Sequence, residues 1–473
     1  MDVISVPFAL LALVSLLVFY LLPSSLRVMF LVLLGCGFIA SYSYLLIIYL
    51  ILFVLINYYV GIYIEKARSP KVILRLGITF NILQLVILKY ASFAINPIFR
   101  LFNSDIDISK LGEILVPLGI SYFTLQAIGY LINIKMGWEK PEKSFGNFLL
   151  YISFFPKFLS GPIERSNHFL PQVKGEKQFD IHQVTAGLRI ALVGFFKKVV
   201  IANQLGLLIT GTYSDLQSAD TGHFIMVLII QPLYLYFDFS GYTDIAIGLA
   251  KAFGYDLLPN FNRPFMSINV TTFWKRFHMS LSLWFNDYVF RQLSFRYRRW
   301  GQYASSFAVF ITFILFGIWH GAGWNFMVLG LIQALAINYE FFTRNQRFAV
   351  FSKLPDNLRR ALGRIITYLF FGFSLVFFFS ADLESVFRFF SGLGNGFSII
   401  SVTEYGLAFY PALLLALILL LAEYVEEDHA GISKSISKIW YSSGILRFSV
   451  YYIISICVLI FIGSGLTFVY QAF

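Results

Sequence analysis

Residues 311–325 read Ile311-Thr-Phe-Ile-Leu-Phe-Gly-Ile-Trp319-His320-Gly321-Ala-Gly-Trp324-Asn325. The run from Ala304 to His320 carries no charged side chain. As a helix it would be about 25 Å long, against a hydrocarbon core of roughly 30 Å. It therefore reads as one span of a helical membrane protein. Between Arg299 and Glu340 the only titratable side chains are His320 and the two tyrosines 303 and 339. An imidazole at membrane depth costs free energy unless something uses it, which makes His320 a functional candidate. Gly317, Gly321, Ala322 and Gly323 beside it allow close approach of another backbone or of a substrate. The other reading is a packing histidine bonded to a neighbouring carbonyl.

The rest of the chain agrees with a membrane setting. Of 473 residues, 58% are hydrophobic and 13% charged, whereas soluble chains carry about 25% charge. The 54 Phe and 28 Tyr suit lipid-facing and interfacial positions. A net charge of +11 would fit nucleic-acid binding, but the bases lie in short loops between apolar runs, so nucleic acid is excluded as a partner. The two cysteines, Cys36 and Cys457, lie inside apolar runs and offer no disulfide framework. The first 22 residues lack a basic start and an A-x-A site and read as a retained helix.

Apolar spans fall at 5–22, 28–41, 43–64, 72–95, 113–134, 184–209, 223–250, 303–320, 325–342, 363–380, 406–425 and 447–468. The fold class is all-α, with about 11–12 transmembrane helices. Alternating them with the N-terminus outside places 32 of the 36 Lys and Arg on the cytoplasmic side. Both termini then face outward. The whole of 1–473 reads as one integral domain, with N-terminal helices in 1–110, a motif-bearing core in 111–345 and C-terminal helices in 346–473.

Two cytoplasmic stretches are not ordinary loops. In 144–183 the apolar piece Phe148–Leu159 is too short to span and leads into Gly161-Pro162-Ile163-Glu164-Arg165. In 251–302, aromatic and aliphatic residues at 273, 274, 277, 281, 284, 285 and 288 keep helical spacing. Both read as re-entrant or interfacial helices, which implies a cavity, since irregular backbone at membrane depth must be enclosed. His278 lies in the second stretch, where it is either an interfacial side chain or a functional one. His168, His182, His223 and His429 lie in loops or at span edges. His278 and His320 are 42 positions apart with no carboxylate at ligand spacing, so no metal site is expected. Asp238 and Asp244, in Asp238-Phe-Ser-Gly-Tyr242-Thr-Asp244, are costly in a span. They either face the cavity or hold architecture through backbone amides or Arg side chains.

Five segments occur in order: Gly161-Pro-Ile163, Asp238 to Asp244, Asn260-Phe-Asn-Arg-Pro-Phe265, Phe273-Trp274-Lys-Arg276-Phe-His278 with Ser280-Leu-Ser282, and Trp319-His-Gly321. Together they resemble the membrane-bound O-acyltransferase family over roughly residues 110–345, above all its branch serving alginate O-acetylation. They are also similar to the branch that D-alanylates teichoic acids. The resemblance implies helices around a central tunnel, an acyl donor in the form of a cytoplasmic thioester, acetyl-coenzyme A, and no permanently bound cofactor. It maps the family's motif histidine onto His320 and its partner histidine onto His278.

Acyl transfer needs a base for the acceptor hydroxyl and a donor for the oxyanion. His320 is assigned the first task, with His278 and Asn325 as polar groups that position or stabilise the reacting centre. Asp238, Tyr242, Asp244, Trp274, Arg276 and Trp319 are candidate tunnel-lining residues. Lys275, Arg276, Arg291, Arg296, Arg298 and Arg299 either meet coenzyme A phosphates or set topology and contact anionic lipid. The tail Thr467 to Phe473 resembles one in which a tyrosine is a candidate acyl relay, here Tyr470, whose other reading is an interfacial anchor.

A Pro-Leu-Gly-Gly stretch usual after the Tyr288 region in the alginate branch is replaced by Phe290-Arg-Gln-Leu-Ser-Phe-Arg-Tyr-Arg-Arg299, so alginate itself does not follow. The expected function is acetyl transfer to a cell-surface polysaccharide from a bacterial inner membrane, with membrane lipids around it and an extracytoplasmic acetyltransferase as partner. The rivals are a polysaccharide or lipid transporter, which the absence of an internal repeat weakens, and transfer of another acyl group or to a lipid or protein.

Overall fold

The computed structural model describes residues 3–90, 119–159, 161–396 and 409–462, and among them every regular element is a helix. Each predicted span with described residues falls on helix, with ends displaced by a few residues: 5–22 becomes Val6–Leu21, 303–320 becomes Gln302–His320, and 447–468 becomes Gly444–Phe461. Among the described residues, eight helices are long and apolar enough to cross a membrane. Val6–Leu21 and Ser24–Ala40 are apolar but shorter.

The chain forms two compact units. The first comprises the described residues of 1–191 and 243–259. At its heart is Ile120–Met136, buried on nearly every face, its polar side chains Thr124 and Gln126 included. Tyr44–Lys66 and Pro70–Leu88 pack against it. Gly61 admits the Tyr130 ring, which a Cβ there would strike at 2.7 Å. Polar side chains fasten these helices: Asn81 Nδ2 donates to Asn57 Oδ1 at 2.7 Å, and Gln84 Nε2 donates to Thr124 Oγ1 at 2.6 Å. Such bonds join helices where hydrophobic burial gives little preference between helix and lipid.

The predicted short piece at 148–159 is helical over Phe145–Ser153 and then irregular, yet buried throughout. Side chains satisfy this irregular backbone, as a dry interior demands. Lys157 Nζ, fully buried, donates to the Tyr151 carbonyl and to Gln126 Oε1, both at 2.6 Å. Tyr151 Oη donates to the Glu164 carbonyl at 2.9 Å. The Glu164 carboxylate, also fully buried, accepts from Leu258 N at 2.9 Å and Arg165 N at 3.1 Å, and bonds His168 Nδ1 at 2.7 Å. Elsewhere in this unit a Cβ on Gly187 would stand 2.5 Å from the Gly248 carbonyl oxygen, so two backbones meet there with nothing between them.

The second unit comprises the described residues of 192–242 and 260–462. The predicted span 184–209 is helical through Ser214 but turns π-helical over Phe196–Ala202. Lys198 lies in that wide turn and forms a buried ion pair with Asp238. The carboxylate is thus engaged by a lysine, where sequence alone suggested amides or arginines. Gln302–His320 and Trp324–Phe342 form a tight hairpin, its helices close at Gly317 and Gly330, where a Cβ on the first would lie 3.1 Å from the nitrogen of the second. Phe409–Asp428 ends in Glu426, Glu427 and Asp428. Arg276 Nη2 donates to Glu427 at 2.8 Å, and Arg364 grips Asp428 with two bonds of 2.6 and 2.9 Å.

Candidate active site

The helical spacing read over 273–288 is not carried by one continuous helix. The structure has Val270–Trp274, a break, Met279–Phe285, and a π turn at Asn286–Phe290. The break is at His278, whose φ of +47° is left-handed. That conformation costs roughly 1–2 kcal/mol in a residue with a Cβ and persists only where surroundings fix it. Here they do. Met279 N donates to the Asn260 carbonyl and Asn262 N to the Arg276 carbonyl, both at 2.9 Å, clamping the two strands of chain together. Arg263, within the same loop, is also left-handed at +46°, with its guanidinium 3.5 Å from Glu427 and 3.8 Å from Glu426.

His278 is fully buried and meets the Phe239 ring edge-on at 4.6 Å between centroids. Its Nδ1 lies 3.1 Å from Asn260 Oδ1. That oxygen also accepts from Ser280 N at 3.2 Å and Ser280 Oγ at 2.8 Å.

His320 is the last residue of its helix and 5% exposed. The helix stops because Gly321 turns to extended backbone, and a Cβ on Gly321 would fall on the Phe326 ring. Phe316, Trp319 and Phe378 lie 4.8, 5.0 and 5.5 Å from the imidazole, centroid to centroid. The Trp319 indole also touches His278, at 5.9 Å. The two histidines, 42 residues apart in sequence, thus share one aromatic wall in one unit.

The other candidates separate. Trp274 packs on Phe316 at 4.7 Å and donates from Nε1 to Gln333 Oε1 at 3.0 Å, one layer behind His320. Asn325 is fully buried, and its Nδ2 donates to the carbonyls of Phe377 at 3.0 Å and Ser380 at 2.8 Å, holding the end of Asp356–Phe379. Tyr242 is buried. Asp238 is engaged by Lys198 and Arg276 by Glu427, which gives both a structural use. Asp244 belongs to the first unit. Tyr470 lies outside the described residues. Sequence reasoning gave no role to Asn260, Lys198 or Gln333. Lys198 did leave a signal, a cation beside the apolar run Val199-Val200-Ile201-Ala202.

The sequence pattern of the membrane-bound O-acyltransferase family matches residues 139–381, more than half of the chain and all of this site. The chain belongs to that family. Among its relatives, Probable alginate O-acetylase AlgI of Pseudomonas aeruginosa is 32% identical over 299 residues, covering 60% of this chain and 56% of the relative. Peptidoglycan O-acetyltransferase of Helicobacter pylori is 29% identical over 395 residues, 74% of this chain and 71% of the relative. Teichoic acid D-alanyltransferase of Bacillus subtilis is 32% identical over 268 residues, 54% and 67%. The chain thus spans little more than half the length of the first of these relatives.

Proposed function

We propose that this membrane-bound O-acyltransferase family member moves an acetyl group from a cytoplasmic thioester, acetyl-coenzyme A, across a bacterial inner membrane for O-acetylation of a cell-surface polysaccharide. An extracytoplasmic acetyltransferase completes the transfer. The observation that carries the reading is the burial of His278 and His320 against the same Trp319 indole. Burying two imidazoles among aromatic rings costs more than packing with apolar side chains would, which favours a chemical use for them. They supply a proton acceptor and a polar group beside a reacting carbonyl. Acetyl is favoured over D-alanyl because two of the three relatives named above are O-acetyl transfer proteins by name. Arg291, Arg296, Arg298 and Arg299, all exposed, are available to coenzyme A phosphates.

The test incubates membranes bearing the chain with radiolabelled acetyl-coenzyme A and compares wild type, His320→Ala, His278→Ala and Tyr470→Phe. Loss of acetylated polymer in both histidine variants with normal polymer export supports the enzyme. Unaltered acetylation in both removes it, and lost export instead points to a transporter. Protein-bound label that disappears only in Tyr470→Phe would make that tyrosine an acyl relay.

A further inference from the structure

Asn260 comes 18 residues before His278 and presents one side-chain atom to three donors or potential donors. One of them, the Ser280 backbone N–H, can only donate, so the atom it meets is the amide oxygen and not the nitrogen. An amide oxygen has no proton to give. Its 3.1 Å contact with His278 Nδ1 therefore requires the proton on Nδ1. In a neutral ring the lone pair is then on Nε2. Backbone bonds from Met279 to Asn260 and from Asn262 to Arg276 fix the same pair of segments, so ring and amide are held in register.

We propose that Asn260 is a positioning residue that holds His278 in its Nδ1–H tautomer, so that the imidazole offers a proton-accepting Nε2 to the acceptor hydroxyl. This rests on the acyl-transfer reading above and moves the first proton acceptor from His320 to His278. The hydroxyl proton passes to Nε2 as the hydroxyl oxygen bonds to the acyl carbon of the thioester. The carbon–sulfur bond then breaks, the sulfur leaves with the electron pair, and it takes the proton back from Nε2. While His278 holds both protons, the Asn260 oxygen continues to accept from Nδ1. His320 acts electrostatically on His278, and the Phe239 and Trp319 rings pack against it.

The experiment measures initial rates of thiol release from acetyl-coenzyme A in membranes, across pH, for Asn260→Ala, Asn260→Asp, Ser280→Ala and His278→Ala. Asn260→Ala is expected to lose about 10²–10⁴-fold in kcat with KM nearly unchanged, the scale of a base left in the wrong tautomer. Asn260→Asp still accepts from Nδ1 and adds a negative charge that favours the protonated ring. It should retain turnover with the acidic limb of the pH profile moved upward by about 1–3 units. Ser280→Ala leaves the His278 contact in place and should keep the wild-type profile. The proposal is overturned if Asn260→Ala turns over within a few-fold of wild type while His278→Ala is inactive. It is equally overturned if Ala and Asp variants lose rate alike with no movement of the limb, which is what a purely structural asparagine would give. Normal turnover in His278→Ala would instead defeat the acyl-transfer site itself.

Discussion

Replacing Lys198 by Met should destabilise the second unit by about 3–5 kcal/mol, and adding Asp238→Asn should return most of that loss. Lys198 is 1% exposed and Asp238 fully buried, so neither charge has water to fall back on. Removing one member of a buried ion pair costs about that much because the survivor is left as a charge in a low dielectric, whereas neutralising both is close to neutral. Methionine keeps the length and volume of the lysine stem, so the loss reports charge and not a cavity. The site has no slack to absorb the change: a Cβ on Gly241 would lie 2.8 Å from the Gly194 carbonyl oxygen and 2.9 Å from Lys198 N.

For a region of this size, 1 kcal/mol is worth about 2–4 °C, so Lys198→Met should lower the unfolding midpoint by roughly 6–20 °C. Size-exclusion of detergent-solubilised protein after heating, read by tryptophan fluorescence, measures this. If Lys198→Met melts with wild type, or the double variant is as unstable as the single one, the pair does not brace the π turn and the reasoning fails.

Three further outcomes follow from the first unit. Glu164→Gln replaces an acceptor by an amide N–H2 that faces backbone donors at Leu258 or Arg165, and should cost about 1–3 kcal/mol in the same thermal assay. Gly187→Val drives a side chain into the Gly248 carbonyl and the Ala252 nitrogen, 2.5 and 2.6 Å from the new Cβ, and should cost about 1–3 kcal/mol or more; wild-type stability would mean that the helices do not meet there. Burial pushes Glu139 up to about 7 against opposing bonds from Ser166 and Asn133. The native state then holds a proton that the unfolded chain releases near pH 4.5, so stability should fall as pH rises from about 4.5 to 7 and level off above. Glu139→Gln should flatten that slope, and an unchanged slope in the variant would assign it to another group.

What the sequence disclosed and what it withheld divide along a physical line. A run of apolar residues bounded by charges reports one fact, that the segment is surrounded by lipid or protein, and this sufficed to place helix on every predicted span with described residues. His278 and His320 were legible for the same reason, since an imidazole is conspicuous where charge is costly. Of the seven periodic positions, Phe273, Phe277, Leu281, Trp284 and Phe285 are buried, while Trp274 and Tyr288 are half-buried. Periodicity did not disclose that the backbone between them leaves the helix at His278, because burial of one face is compatible with a left-handed residue between two short helices.

That break is imposed from outside the segment, by Asn260 and Asn262 across 14 to 19 residues of chain. The π turn at Phe196–Ala202 is likewise tied to Asp238 and Gly241, about forty residues away. The clamp of Arg276 and Arg263 on Glu427 spans about 150 residues, and no local pattern encodes it. Local composition therefore locates the chemistry, while long-range polar contacts decide its orientation. In this site orientation is the functional variable. The identity of His278 says that a proton can be moved; the amide oxygen of Asn260, brought to it by a loop whose own sequence gives no hint of the meeting, decides which nitrogen does so.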